Sequence, residues 1–357
     1  MFTQLTSWSN LLLAYQLAAR GKRSQPNVAA FEHRLEDNLL QLQHDLRAQT
    51  YRPGRYVNFA IHEPKRRIIS AAPYRDRVAH HALCNLIQPI LERSFISDSY
   101  ANRLGKGTHR ARDRCQQFAR RYGYVLQCDV RQFFPSLDHA VLRDILWRKV
   151  ADPAVRWLID RILAGGADVL RHEYDMVYFP GDDLFAALRP RGLPIGNLTS
   201  QFWANVYLDP LDHFIKQQLS CPAYVRYVDD FLLFADDKQT LWRWKAAIVE
   251  RLAQFRLTLH PQAQPRPVTE GIPFLGFTIF PQHRRLKRRK GVYYQRKLRR
   301  LLIAYQQRQL SFDQLTASVQ GWVNHARYGN TVGLRRALLS HTPVPRMTSR
   351  YHLGARL

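Results

Sequence analysis

Ala223-Tyr-Val-Arg-Tyr-Val-Asp-Asp-Phe-Leu-Leu-Phe234 sets two adjacent carboxylates, Asp229 and Asp230, inside a run of apolar, β-branched and aromatic residues. Such flanks read as two strands, with the acids on the tight turn between them. In an extended strand neighbouring side chains leave on opposite faces, so both acids face one side only if the chain turns there. Taken alone, a Tyr-x-Asp-Asp turn is weakly informative, because Asp suits turns for purely local reasons. A second stretch changes its meaning. Tyr124-Val-Leu-Gln-Cys-Asp129-Val-Arg-Gln-Phe-Phe134-Pro135-Ser-Leu-Asp138-His139 is an apolar strand ending in an acid, followed by aromatics and a Pro-initiated turn. Two strands that present Asp129 and Asp229 could hold a pair of Mg²⁺ ions. Hard cations prefer carboxylate oxygens, and paired ions stabilise the attacking and leaving oxygens of phosphoryl transfer.

Both stretches resemble the catalytic motifs of reverse transcriptases, and the resemblance runs from about Tyr51 to Tyr328. It implies an α+β right-hand polymerase with fingers, a palm of antiparallel sheet plus helices, and an α-helical thumb. The expected order is an N-terminal helical segment at 1–48, fingers at 49–122, palm at 123–280 with a surface insertion at 166–192, thumb at 281–343 and a tail at 344–357.

Composition points the same way. The 357 residues carry a formal charge of +26, which predicts a polyanionic partner bound through phosphate neutralisation. Cys84, Cys115, Cys128 and Cys221 are scattered with no Cys-x-x-Cys pair, so neither a zinc site nor a disulfide framework is expected, and a reducing, cytoplasmic setting fits. No signal peptide, membrane span or membrane partner is expected: the apolar run Leu11-Leu-Leu-Ala-Tyr15 is short and broken by Gln16. Nor is a nuclease domain expected within the chain, which shows no His/Cys nuclease pattern.

Residues 5–20 place Trp8, Leu11, Leu12, Tyr15 and Ala18 on one helical face, and 28–48 do so with Phe31, Leu35, Leu39, Leu42 and Leu46, with Pro26-Asn27 as punctuation between. Tyr51–His62 and Glu63–Ser70 read as a hairpin across a basic turn. In the fingers of the resembled family such a turn clamps the incoming triphosphate, which nominates Lys65 and Arg67; a merely solvated basic turn is the alternative. Residues 74–89 read as a helix, and His80 and His81 on it lack ligand-spaced partners. The Gly-rich basic loop 98–110 resembles the family's template-contacting motif and nominates Arg103, Lys106, Gly107 and Thr108. A helix over 140–165 and an irregular stretch over 166–192 follow, where Asp182 and Asp183 read as turn acids.

Asn197 reads as the cap of a helix that Asp209-Pro210 kinks or restarts. Asp237 caps another, and the element order suggests a split βαβ palm. Gly271–Thr278 resembles the primer-grip hairpin, nominating Phe274, Leu275 and Gly276, the last for close backbone approach. Between 281 and 308 stand eleven Lys/Arg and no acids. Tyr293 and Tyr294 interrupt this run, and Leu298, Leu301, Leu302 and Tyr305 give a helical core face, while Phe312, Leu315, Val319, Trp322 and Val323 suggest a further helix. Read as a thumb, the segment nominates Arg296 and Arg299 for the duplex backbone.

The resemblance also implies roles. Asp129 and Asp229 bridge two Mg²⁺, with Mn²⁺ as a substitute, while Asp230 assists and the Val130 carbonyl is a further ligand. Phe134 stands where the family carries its steric gate against a 2′-OH; the alternative is core packing, with Phe133 as rival. Gly196 and Gln201 belong with Ile195 to the dNTP site. Most reverse transcriptases read Gln-Gly … Ser-Pro where this chain has Ile195-Gly196 … Ser200-Gln201, a pattern that looks like diversity-generating retroelement enzymes. That implies error-prone copying at template adenines, a dedicated template RNA, an RNA/cDNA duplex, dNTPs and a small basic accessory protein oligomer as partners. The family's leaving-group Lys has no counterpart in Leu259–Gln264; His260 or water stands in. The competing readings are an antiviral-defence reverse transcriptase using a noncoding RNA and a catalytically silent RNA-binding scaffold.

Overall fold

The computed structural model describes residues 1–62, 66–167 and 169–340. The chain divides into two compact units, Met1–Ala111 with Tyr124–Arg266, and Arg112–Gly123 with Pro267–Leu357.

The first unit begins with four helices: α1 (Phe2–Leu5), α2 (Trp8–Ala19), α3 (Pro26–His33) and α4 (Leu35–Arg47). Leu11, Tyr15 and Ala18 of α2 and Leu39, Leu42 and Leu46 of α4 are buried, as their 3.6-residue spacing predicts. Trp8, expected on that face, is 38% exposed instead. Pro26 starts α3 at its first position, where a missing N–H costs nothing, so it opens a helix rather than separating two. Strands β1 (Val57–Ile61) and β2 (Arg67–Ala71) form the expected antiparallel hairpin, with Phe59 opposite Ile69. Helix α5 (Tyr74–Glu92) runs through Pro89, and α6 (Thr108–Arg121) passes into the second unit at Arg112.

Then follow β3 (Tyr124–Asp129), α7 (Phe133–Ser136), α8 (His139–Trp147), α9 (Pro153–Gly166), α10 (Leu198–His213), β4 (Tyr224–Tyr227), β5 (Asp230–Ala235), α11 (Lys238–Gln254) and β6 (Pro265–Pro267). The single helix expected over 140–165 is two, because the Asp152 side chain caps a new one at Pro153. Asp237 caps α11 through Thr240 N–H at 2.7 Å. The Asp209-Pro210 pair neither kinks nor restarts α10. Full burial of Val206, Leu208 and Leu211 outweighs one lost N–H, and the helix runs on into a wide π-type turn at Phe214–Gln218. Strand order is β4-β5-β3-β6, the order of a split βαβ unit. β6, with its two prolines, takes an edge, the place where a missing donor costs least. In the 166–192 segment Asp182 accepts from Phe179 N–H and pairs with Arg256 and Arg189, and Asp183 accepts from Ala186 N–H, so both are turn acids.

The second unit holds the antiparallel sheet β7 (Ile272–Phe274), β8 (Phe277–Ile279) and β9 (Arg284–Leu286), then α12 (Arg288–Gln306), α13 (Phe312–Ala326) and α14 (Val332–Ser340). Its helical core is Tyr294, Leu298, Leu302, Leu315, Trp322, Ala326 and Leu338. Tyr294 lies flat on Trp322, centroids 4.5 Å apart, and donates to Ser318 O; it is core, while Tyr293 stays exposed. The further helix expected from Phe312, Leu315, Val319, Trp322 and Val323 is α13, with Phe312 itself 53% exposed at its start. Among the described residues no helix is long and apolar enough to cross a membrane.

Candidate active site

β3 and β5 pair antiparallel with Asp129 opposite Asp230, and β4 and β5 pair with Tyr227 opposite Asp230. Val228 and Asp229 are therefore the two-residue turn of the β4–β5 hairpin, at the level where β3 ends in Asp129. Two-residue hairpin turns need left-handed backbone, and Val228 supplies it at φ +59°, an outlying conformation for a β-branched residue. The hairpin thus lifts Asp229 off the sheet end, beside a carboxylate that lies far upstream in sequence.

Electrostatics register that proximity. The Asp229 carboxyl is pushed up to about 6, first by burial and then by the facing Asp129 charge; Arg67 and Arg226 pull it back only in part. Converging hard oxygens with an unfavourable mutual charge are the donor chemistry of a divalent cation site, so Asp129 and Asp229 fit Mg²⁺ or Mn²⁺. Among the described residues no cluster of three or more His, Cys, Asp or Glu forms. The neighbouring Asp230 is tied into the sheet: its Oδ1 accepts from Gln127 Nε2 at 3.1 Å, and Gln127 Oε1 accepts from Arg266 at 2.9 Å. Val130 faces Leu259 as a non-hydrogen-bonded pair, flanked by His260 N–H to Asp129 O and Arg131 N–H to Thr258 O, both 2.8 Å. Its own carbonyl therefore points away from the 258–260 segment, toward the β5 side. His260 lies across from Asp129 and is half-buried.

Binding of a divalent cation must displace the proton from Asp229. Mn²⁺ affinity followed by electron paramagnetic resonance is therefore expected to be flat above about pH 6 and to fall up to about tenfold per pH unit below it. A midpoint near 4 would show that neither burial nor the Asp129 charge raises the Asp229 carboxyl.

The nucleotide-side candidates gather unequally. Lys65 lies outside the described residues. Arg66 is committed to Glu173 at 3.2 Å, whereas Arg67, at the start of β2, is exposed and its charge acts on Asp229. Phe133 is buried while Phe134 is only half-buried, so Phe133 is the core residue of the pair. Phe134 O accepts Leu193 N–H at 2.9 Å, which ties this turn to the 193–197 segment. There Ile195 O accepts Ser70 N–H at 2.8 Å, docking the segment on β2. Gly196 sits at φ +118°, and a Cβ there would come within 3.0 Å of Ile69 Cγ2, so conformation and space both require glycine. Asn197 occupies the cap position of α10, but its amide donates to Ser70 O and Pro194 O, so it fixes the loop rather than capping the helix. Gln201 is exposed in the first turn of α10.

The template and primer candidates divide as well. Arg103 points inward: it donates to Ile96 O at 2.7 Å and Ser99 O at 2.9 Å and covers the Phe95 ring, a loop-holding duty. Lys106 donates to Ser97 O over the Tyr100 ring, Gly107 N–H bonds Tyr100 O, and Thr108 opens α6. In the second unit Phe274 is fully buried and so is core, not contact. Leu275 and Gly276, at φ +45° and +89°, form a two-residue hairpin turn. Gly276 is there for its backbone sign; a Cβ would meet nothing closer than His325 at 3.8 Å. Arg296 and Arg299 are exposed on α12.

Sequence reasoning missed Gln127 and Arg226. Gln127 shares the Asp129 face two residues earlier in β3, a parity that could have flagged it. Arg226 is a lone cation inside an apolar strand and is fully buried.

An antiparallel sheet that brings a strand-end aspartate against an acidic hairpin turn fits the class of metal-assisted phosphoryl-transfer proteins. Within that class, the family model for reverse transcriptase (RNA-dependent DNA polymerase) matches residues 61–279, more than half the chain. The chain belongs to this family and carries the domain of an RNA-directed DNA polymerase. Similar proteins include an uncharacterized 91 kDa protein in a cob intron of Schizosaccharomyces pombe, 26% identical over 46% of this chain and 19% of that protein. Protein YkfC of Escherichia coli is 24% identical over 72% and 75%. The group II intron-encoded protein LtrA of Lactococcus lactis subsp. cremoris is 23% identical over 51% and 29%. The chain thus spans less than a third of the length of two of these relatives. Among solved structures, apo telomerase from Candida tropicalis, truncated from its C-terminal domain, gives a TM-score of 0.47 at 12% identity over 70% of this chain and 60% of that one.

Proposed function

We propose that the protein copies a dedicated template RNA into cDNA by metal-assisted nucleotidyl transfer, with low fidelity, as the polymerase of a diversity-generating retroelement. The observation that carries the polymerase reading is the meeting of Asp129 and Asp229. When bound, a pair of Mg²⁺ ions supplies charge neutralisation at the attacking 3′-oxygen and at the leaving pyrophosphate. Asp129 and Asp229 would hold them, with the Val130 carbonyl as a further donor, and Gln127 keeps Asp230 in line. Arg67 binds the triphosphate, and Phe134 lies under the sugar. In this reading residues 49–122 are fingers, 123–280 palm and 281–343 thumb, and the Leu275-Gly276 turn and the basic face of α12 take the primer–template duplex.

Ile195 carries the low-fidelity part. Its backbone is docked on β2, and its side chain offers no hydrogen bond to an incoming nucleotide or templating base. A site without directional contacts discriminates by shape alone, and a lost polar contact lowers discrimination by about 10²-fold or more. Sequencing of cDNA made by Ile195→Gln is expected to show fewer misincorporations opposite template adenine by about an order of magnitude. Unchanged adenine errors would separate Ile195 from fidelity. A near-repeat pair differing at adenines in the neighbouring DNA, beside a small basic gene, would support the retroelement over a defence role.

A further inference from the structure

The turn that carries Asp229 is held from beneath by a side chain with no catalytic chemistry of its own. Arg226 is fully buried in β4, and all five of its N–H donors are used. Nε and Nη2 grip the two oxygens of Asp212 at 2.7 and 2.6 Å. Nη1 donates to Asn205 Oδ1 at 3.1 Å and to Val228 O at 3.0 Å, and Nη2 reaches Asn205 O at 3.5 Å. Asp212 is itself held by Tyr224 Oη at 2.7 Å, and Asn205 donates to Ala101 O at 2.7 Å. The main chain adds Arg226 N–H to Asp98 O at 2.9 Å and Tyr100 N–H to Arg226 O at 3.0 Å. α10, the 98–101 loop and β4 therefore all fix the guanidinium in one place.

What that guanidinium touches decides its role. The Val228 carbonyl belongs to the peptide plane whose other end is the Asp229 N–H, so its orientation sets the direction in which Asp229 leaves the backbone. Val228 is also the residue held left-handed at φ +59°, a conformation a β-branched side chain keeps only when its surroundings impose it. A planar five-donor fork can bind Asp212 twice and still reach this carbonyl; an ammonium cannot.

We propose that Arg226 is a positioning residue: through the Val228 carbonyl it holds the strained turn in the one orientation that aims Asp229 at Asp129. The proposal rests on reading that turn as catalytic. It predicts that Arg226→Lys, which keeps a cation beside Asp212 but lacks the fork, folds and binds RNA within threefold of wild type. Its kcat falls about 10²-fold with little change in KM for dNTP, and Mn²⁺ affinity by electron paramagnetic resonance drops about tenfold. Adding Val228→Gly, which lets the turn adopt positive φ without strain, should restore part of the Mn²⁺ affinity. A purely structural ion pair predicts instead a lowered Tm with kcat and Mn²⁺ affinity within threefold of wild type, and that result overturns the proposal. Should Arg226→Lys fail to fold, Arg226→Met with Asp212→Leu removes the pair as a unit without leaving a buried charge; retained Mn²⁺ affinity there overturns it equally. Asp229→Asn in the same assays separates the two levels. An active, metal-binding Asp229→Asn variant defeats the catalytic reading itself, whereas an inactive one beside a wild-type-like Arg226→Lys defeats only the clamp.

Discussion

Asp229→Asn is expected to slow primer extension by at least about 10³-fold while making the metal-free protein more stable. The two effects share one cause. In the folded protein the Asp229 carboxyl titrates near 6 rather than 3.8, because burial and the Asp129 charge both disfavour its ionised form. Folding therefore favours the protonated acid, and that contribution is lost as pH rises from about 4 through about 6. At pH 7.5 the ionised pair is a net cost. A carboxyl raised from 3.8 to about 6 corresponds to about 3 kcal/mol, and partial exposure of the half-buried group reduces this to about 1–2 kcal/mol. The Asn variant escapes that cost, so its Tm in EDTA should exceed that of wild type. Mg²⁺, which offsets the same repulsion, should raise the wild-type Tm and leave that of the variant nearly unchanged. Wild-type activity together with an unchanged Tm would remove Asp229 from the site.

Phe134→Ala is expected to carry the second largest effect, on sugar choice. The Phe133–Phe134 pair follows a left-handed Gln132 at φ +46°, which turns the chain sharply after β3. One ring goes into the core at 3% exposure, and the other stays half-exposed, edge to face with the first at 5.5 Å. In the proposed reading this partly open ring, anchored through its backbone to Leu193, blocks a 2′-OH by shape. Removing it should raise the relative kcat/KM for ribonucleotides by about 10²-fold, equivalent to roughly 3 kcal/mol of lost steric discrimination. The same truncation at Phe133 leaves a core cavity instead, costing about 3–5 kcal/mol of stability with sugar selectivity unchanged. If the Phe133 variant were the one that accepted ribonucleotides, the gate would be assigned to the wrong ring.

Much of this fold follows from local pattern. The apolar, β-branched and aromatic runs in Tyr224–Tyr227 and Asp230–Ala235, the acid cap at Asp237 and the 3.6-residue spacing of Leu298 and Leu302 each state an element within a few residues of themselves. Failures came where packing overrode local preference. Pro210 sits inside a continuous helix because the surrounding residues are buried on every side, and Asn197 gives its amide to Ser70 O of β2, 127 positions away. Phe274, Arg103 and Tyr294 had the residue types of nucleic-acid contacts, but their side chains are taken up by the interior.

The residue types of the site were determined by sequence alone: two strands ending in acids, a turn between aromatic and β-branched flanks, an aromatic pair after the first acid and a large basic excess. Their chemistry is local, and spacing along the chain is enough to propose it. Only the tertiary structure decided which carboxylates face each other, because strand register is set by contacts between residues about a hundred positions apart. It was also needed to show that Asp230 is held by Gln127 while Asp229 is left to Asp129, and that a buried arginine steadies the turn between them. Burial and long-range charge carry those assignments, and neither is encoded in any short stretch of the chain.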